Sequence, residues 1–252
     1  VIVAVIDTGI YSQHEDLQGK LIPGYNFFDN NTDTTDVHGH GTGVSGVIGA
    51  TTNNNKGVAG LSWLGPIMPI RDTDVGGTFM ASNLIKSIIL SADNGAKVIN
   101  ISQGGTGFNS SVNDAVNYAW SKGLVIVAAA GNCWKYNPDK SKNELASCTD
   151  ASATNPGIIY PAGYDNVIAV GATDQTDNKA YFSVYGPQLD VVAPGIFIGT
   201  TCDPVHWTHL YCGGDGTSFA SPNVAGLAAL IMAANPALTN QQVVDIIKNT
   251  AD

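Results

Sequence analysis

Hydrophobic positions along the chain follow two alternating patterns: short continuous apolar runs, and longer stretches with helical spacing. Val1–Ile6 is a continuous run of the kind that forms a strand buried on both faces, and it ends in Asp7-Thr8-Gly9. Leu84, Ile85, Ile88 and Ile89 share one face at helical spacing, which predicts a helix capped by Ser82 or Asn83 and ended by Asn94-Gly95. Val98–Ile101 follows as a strand. Val112, Ala115, Val116, Ala119 and Trp120 make the next helical face, stopped at Gly123. Leu124–Ala130 and Val167–Val170 read as further buried strands. This repeated order predicts an α/β fold, a doubly wound and mostly parallel sheet with helices on both faces.

Toward the end, Phe219–Ala234 reads as a helix dense in Ala and Leu. Pro222 fits only in the first turn of such a helix, so the helix starts near Ser218. Thr239 and Gln242 form a capping box for a last helix through Val243, Val244, Ile246 and Ile247. The sequence has no internal repeat, low-complexity tract or linker, and its long loops are Tyr25–Asp36 and Cys133–Gly157. The expectation is a single domain over residues 1–252.

Composition narrows the partners. Apolar residues make up 44% and charged residues 13%, a globular balance. Basic residues number 11 against 21 acidic ones, for a net charge of −10 with no Lys/Arg cluster. That argues against nucleic acid and against an anionic membrane. The apolar runs fall short of the ~20 residues a membrane span needs. Val1–Ile6 lacks a basic flank and a cleavage site, so it reads as a strand and not as a signal peptide.

Four cysteines allow three pairings. The nearest-neighbour bridges, Cys133–Cys148 and Cys202–Cys212, each close a short loop. Without a C-x-x-C pair, two disulfides in an oxidising compartment are preferred to zinc or to four reduced, buried thiols.

Three residues stand where amide hydrolysis would need them. Asp7 sits at the end of a predicted strand, where sites form in parallel sheets. His40 lies in Asp36-Val37-His38-Gly39-His40-Gly41-Thr42, before an apolar helical run. Ser218 lies in Gly214-Asp215-Gly216-Thr217-Ser218-Phe219-Ala220-Ser221-Pro222, at a helix start whose dipole favours negative charge. Singly they read as a turn residue, a loop residue and an N-cap; jointly they supply orienter, base and nucleophile. One alternative is a metal-dependent hydrolase using Asp7, His38 and His40, which leaves the Ser218 block unexplained. Another is a catalytically silent peptide-binding module of the same fold.

Val5-Ile6-Asp7-Thr8-Gly9, His40-Gly41-Thr42 and Gly216-Thr217-Ser218-Phe219-Ala220-Ser221-Pro222 resemble the three signature blocks of the subtilisin-like proteases, in that family's chain order. Ile101-Ser102-Gln103-Gly104-Gly105, Ala128-Ala129-Ala130-Gly131-Asn132 and Gly186–Gly195 resemble further family segments. The resemblance implies a three-layer subtilisin-like sandwich and a serine endopeptidase acting through an acyl-enzyme. Ser218 would be the nucleophile, His40 the base and then acid, and Asp7 the orienter. Asn132 and the Ser218 N–H would hold the oxyanion. Ser102, Gln103, Gly104 and Gly105 are expected to bind the peptide by strand addition. Ala129, Ala130 and Gly131 would wall the P1 pocket, with Ile159 at its base favouring small or medium apolar groups.

Asp16, Asn53, Asn54 and Asn55 resemble a structural calcium site, and no cofactor is expected for the chemistry. Peptide and protein substrates, an inhibitory pro-segment, secretion to the extracellular space and a monomeric state complete the expectation. Family members carry extra residues at both ends, so the chain reads as a catalytic domain trimmed at both.

Overall fold

Seven parallel strands form the central sheet, in the spatial order Tyr25–Asn26, Ile67–Arg71, Val3–Asp7, Val98–Ile101, Val125–Ala129, Ile168–Thr173 and Val191–Pro194. The computed structural model describes residues 1–139 and 142–252. Along the chain come β1 (Val3–Asp7), β2 (Tyr25–Asn26), α1 (His40–Gly49), β3 (Ile67–Arg71), α2 (Ala81–Asp93), β4 (Val98–Ile101), α3 (Ser110–Ser121) and β5 (Val125–Ala129). Then follow β6 (Trp134–Asn137), β7 (Lys142–Leu145), β8 (Ile168–Thr173), β9 (Val191–Pro194), β10 (Ile198–Thr201), α4 (Pro204–Trp207), β11 (Tyr211–Gly214), α5 (Thr217–Ala234) and α6 (Asn240–Thr250). Outside the central sheet, β6 pairs with β7 and β10 with β11 as antiparallel hairpins.

Alternation along buried strands explains the layers, because successive side chains leave opposite faces of a sheet. Val3 and Val5 of β1 join Val44 and Ile48 of α1, Val224 and Ala228 of α5 and Val243 of α6 in one core. Ala4 and Ile6 join Leu84 and Ile88 of α2 and Val112 and Val116 of α3 on the other side. The expected three-layer α/β sandwich is present. α5 is 18 residues long and apolar enough to span a membrane by composition, but it packs inside this fold against α1, β5 and β8.

Two local expectations differ in detail, and one strand not foreseen from the sequence appears. α2 starts at Ala81 after Met80, which offers no side-chain cap, and Asn83 is buried within the first turn. β3 contains Pro69, yet it lies between two strands. Its β2 neighbour is only two residues long and pairs with Ile70 and Arg71, so the proline's missing N–H falls beyond that pairing. The expected long loop after Cys133 contains the β6–β7 hairpin. The capping box at Thr239 and Gln242 forms as expected.

Candidate active site

The chain leaves β1 to build β3 on one side and β4 on the other, and a crevice opens at the carboxyl ends of these strands. Asp7 ends β1, Ser102 follows β4, and Asn132 lies three residues after the end of β5.

His40 is the first residue of α1. Gly39, the N-cap, has φ 93° and no side chain to bond the free N–H groups of the first turn. Neighbours take that role: Gly41 N–H donates to Thr8 Oγ1 (2.9 Å) and Thr42 N–H to Asp36 Oδ2 (2.8 Å). Asp36 is buried and also accepts from the Thr8 hydroxyl and the Gly39 N–H, so one carboxylate fixes the whole entry to α1.

With its backbone so held, the His40 ring places Nδ1 2.7 Å from Asp7 Oδ1, which also accepts the Thr8 N–H at 2.8 Å. Burial pushes the His40 pKa down, but the Asp7 charge and hydrogen bond, with Asp36 behind them, outweigh it and hold it above the ordinary value. Nδ1–H is thereby committed to Asp7, which leaves Nε2 as the basic nitrogen. His38 has its ring 6.4 Å from that of His40, while the Asp7 bond goes to His40. Among the described residues, no group of three or more His, Cys, Asp or Glu is arranged to hold a metal ion. The metal-dependent reading through Asp7, His38 and His40 is therefore set aside.

Ser218 is the second residue of α5, and its surroundings depend on Pro222. That proline has no N–H to return to the carbonyl four residues earlier, so the Ser218 carbonyl is free of the helix ladder. Ser102 Oγ donates to it at 2.9 Å, and Ser218 Oγ donates back to the Ser102 carbonyl at 3.0 Å. Asn100 supports the exchange from β4. Its amide donates to Ser102 Oγ at 3.0 Å, and its oxygen accepts from Ser221 Oγ at 2.8 Å. The Phe219 ring, next along α5, stands 5.8 Å from His40.

Asn132 is oriented by Thr217, a residue the sequence reading does not single out. Asn132 Oδ1 accepts from the Thr217 N–H (3.0 Å) and hydroxyl (3.1 Å), which leaves the amide N–H groups as the free end. The Ser218 N–H lies in the first turn of α5, where helical N–H groups have no partner within the helix. The two disulfides join the expected pairs, with Cα–Cα separations of 5.3 Å for Cys133–Cys148 and 5.9 Å for Cys202–Cys212. The first follows Asn132 directly, with Cys133 fully buried.

Beside Ser218 lies a cleft of about 300 Å³, lined by Ser102, Gln103, Gly104 and Gly105 on one side and Ala129, Gly131 and Asn132 on the other. Gly105 pairs in antiparallel fashion with Tyr160. A Cβ at Gly104 would collide with the Tyr160 carbonyl and lie 2.6 Å from Ile159 Cδ1, so only glycine fits there. A Cβ at Gly131 would stand 3.1 Å from Ile159 Cγ2. Ile159 therefore fills the space between the two glycine walls. Ala130, expected in the wall, departs from that expectation. Its side chain points into a small core with Cys133 and Val184, because strand alternation turns it away from Ala129 and Gly131. Trp134, Thr154 and Pro156 line the cleft as well, and the sequence reading passes over all three.

Of the residues expected to hold calcium, Asp16 and Asn54 come together. Asp16 is fully buried, with Oδ1 2.6 Å from Asn54 Nδ2 and Oδ2 3.2 Å from the Val58 N–H. Asn53 and Asn55 are exposed, with φ 63° and 59°.

Comparison with known proteins agrees with this geometry. The family model described as "Subtilase family" matches residues 1–252. The chain is 44% identical to "Thermophilic serine proteinase" of Bacillus sp. (strain AK1), over 99% of this chain and 56% of that protein. It is 42% identical to "Thermitase" of Thermoactinomyces vulgaris, over 99% of this chain and 80% of that protein. Among solved structures, a cold adapted subtilisin-like serine proteinase superposes with a TM-score of 0.80 at 31% identity, covering 98% of this chain and 81% of that one. A match along its whole length, joined to an Asp-bonded histidine and a helix-start serine beside the carboxyl ends of β1 and β4, shows that this chain belongs to the subtilase family.

Proposed function

We propose that Ser218, His40 and Asp7 hydrolyse peptide bonds as a catalytic triad, with Asn132 and the Ser218 N–H as oxyanion donors. The observation that carries this is the 2.7 Å bond from His40 Nδ1 to Asp7, which reserves Nε2 for proton transfer. In the reaction, Ser218 Oγ rotates from the Ser102 carbonyl to His40 and attacks the scissile carbonyl carbon while Nε2 takes its proton. The vacated Ser102 carbonyl is then free to accept an N–H of the bound peptide. Negative charge develops on the carbonyl oxygen, where the Asn132 amide and Ser218 N–H can donate to it. Collapse breaks the C–N bond, and the departing amine takes the proton from His40. Water then repeats the sequence on the acyl-enzyme and releases Ser218.

An extended peptide would lie along Ser102–Gly105, with its P1 side chain entering the slot between Gly104 and Gly131. Ile159 shortens that slot, so small or medium apolar P1 groups are favoured. Ile159→Gly is expected to raise the kcat/KM ratio for Phe over Ala at P1 by roughly tenfold or more, since single methylenes in such pockets discriminate at that level. A P1 series of blocked tetrapeptides checks this; an unchanged ratio removes Ile159 from the pocket.

A structural calcium is proposed at Asp16 and Asn54. Asp16 is a buried carboxylate beside loop backbone and the Asn54 side chain, whose amide would turn its oxygen toward a bound cation, and Lys56 is drawn away to Glu15; these groups would supply the oxygen ligands that calcium takes. Calcium there would add stability and take no part in the chemistry. The melting temperature is expected to fall by several degrees in EDTA, as for any ligand of the folded state; coincident melting curves with calcium and with EDTA remove the site. Two disulfides support folding in an oxidising, extracellular setting. A secreted monomer kept inactive by a pro-segment, acting on peptides and proteins, completes the proposal.

A further inference from the structure

Asp72 is a buried carboxyl group that this catalytic scheme does not use. It directly follows β3, its N–H donates to the Asp7 carbonyl at 3.2 Å, and its side chain is fully enclosed. Arg71, the adjacent cation, turns its guanidinium to Asp29 at 2.8 Å. Burial pushes the Asp72 pKa up to about 8; the Gln103 hydrogen bond opposes this and the nearby charge of Asp7 adds to it. At neutral pH the group is therefore mainly a neutral hydrogen-bonding partner and not a second anion beside Asp7.

Its partner is Gln103, whose Nε2 lies 2.9 Å from both Asp72 oxygens. Gln103 stands in the segment that lines the cleft. Ser102 ties one end of that segment to Ser218, and Gly105 ties the other to Tyr160. Between these ends, Gln103 reaches across to the end of β3. The Asp72–Gln103 bond thus holds the middle of the segment from behind while its edge faces the cleft. Asp72 is buried, so losing Gln103 would leave its carboxyl group unpaired away from water, and the bond resists breaking.

We propose that Asp72 is a positioning residue for extended substrates, fixing through Gln103 the segment along which a peptide is laid. This rests on the peptidase reading above. The test compares Asp72→Val and Asp72→Asn on two substrates: a blocked tetrapeptide anilide that runs along Ser102–Gly105, and a blocked single-residue ester confined to the P1 slot and Ser218. Asp72→Val is expected to lose about tenfold in kcat/KM on the tetrapeptide, mainly through KM, and under about twofold on the ester; a displacement of ~1 Å in a bound substrate can cost more than this. Asp72→Asn keeps an oxygen that accepts from Gln103, and is expected within about twofold of the unaltered enzyme on both substrates. Equal losses on tetrapeptide and ester, or no loss on the tetrapeptide, overturn the proposal. Where Asp72→Val fails to fold, Asp72→Ser, too short to reach Gln103, gives the same comparison. Failure of the unaltered protein to turn over either substrate counts against the peptidase reading instead.

Discussion

Ser218→Ala is expected to lower kcat for a peptide substrate by roughly 10⁶-fold, the loss known for removal of the nucleophile in subtilisin itself. The fold should survive, because the hydroxyl makes a single hydrogen bond, to the Ser102 carbonyl, in a half-buried position. The Ser102 bond to the Ser218 carbonyl does not involve the Ser218 side chain and remains. Residual turnover above the uncatalysed rate, on the order of 10³-fold, would come from the oxyanion donors and substrate binding. The check is kcat on a blocked tetrapeptide together with a melting curve. A variant that melts like the parent and keeps near-normal turnover contradicts the assigned nucleophile.

Asp7→Asn is expected to cost roughly 10⁴-fold in kcat while the backbone is kept. The amide can present an N–H to His40 Nδ1, which turns the imidazole to the tautomer whose Nε2 carries a proton and cannot act as base. The charge effect has its own signature. In the unaltered protein Asp7 outweighs burial and holds the His40 pKa above the ordinary 6.5. Activity should therefore rise with pH through a midpoint above that value, as His40 loses its proton. Without the Asp7 charge, burial is left largely unopposed, and the midpoint of the remaining activity should move to lower pH. A pH profile of kcat/KM for both proteins measures this; an unmoved acid limb would mean that Asp7 does not set the ionisation of His40.

The residues that end buried apolar runs were the ones legible in the sequence. Asp7, His40, Asn132 and Ser218 each sit where a regular pattern breaks at a strand end or helix start; hydrogen bonds tie His40 to Asp7, Ser218 to Ser102 after β4, and Asn132 to Thr217 next to Ser218. The residues that orient them were hidden because their roles are tertiary. Thr217 looks like a helix-start residue, and only the approach of the loop after β5 makes it the partner of Asn132. Asp36 reads as a loop acid until the fold brings Thr8 to it across 28 positions. Asp72 follows a strand disguised by Pro69, and its partner comes from the far side of β1. Ala130 shows the reverse error: a run of three alanines gives no sign of which side chains face the cleft, and the strand's alternation decides it.

The proposed chemistry turns on one hydroxyl, that of Ser218, as the activated nucleophile. The most direct test treats the protein with a peptidyl phosphonate that forms a bond only to an activated serine, followed by peptide mapping in the mass spectrometer. A single adduct on Ser218, formed in step with the loss of peptidase activity and absent from Asp7→Asn on the same time scale, is the predicted result. Loss of activity with Ser218 unmodified, or full activity with Ser218 phosphonylated, would contradict it.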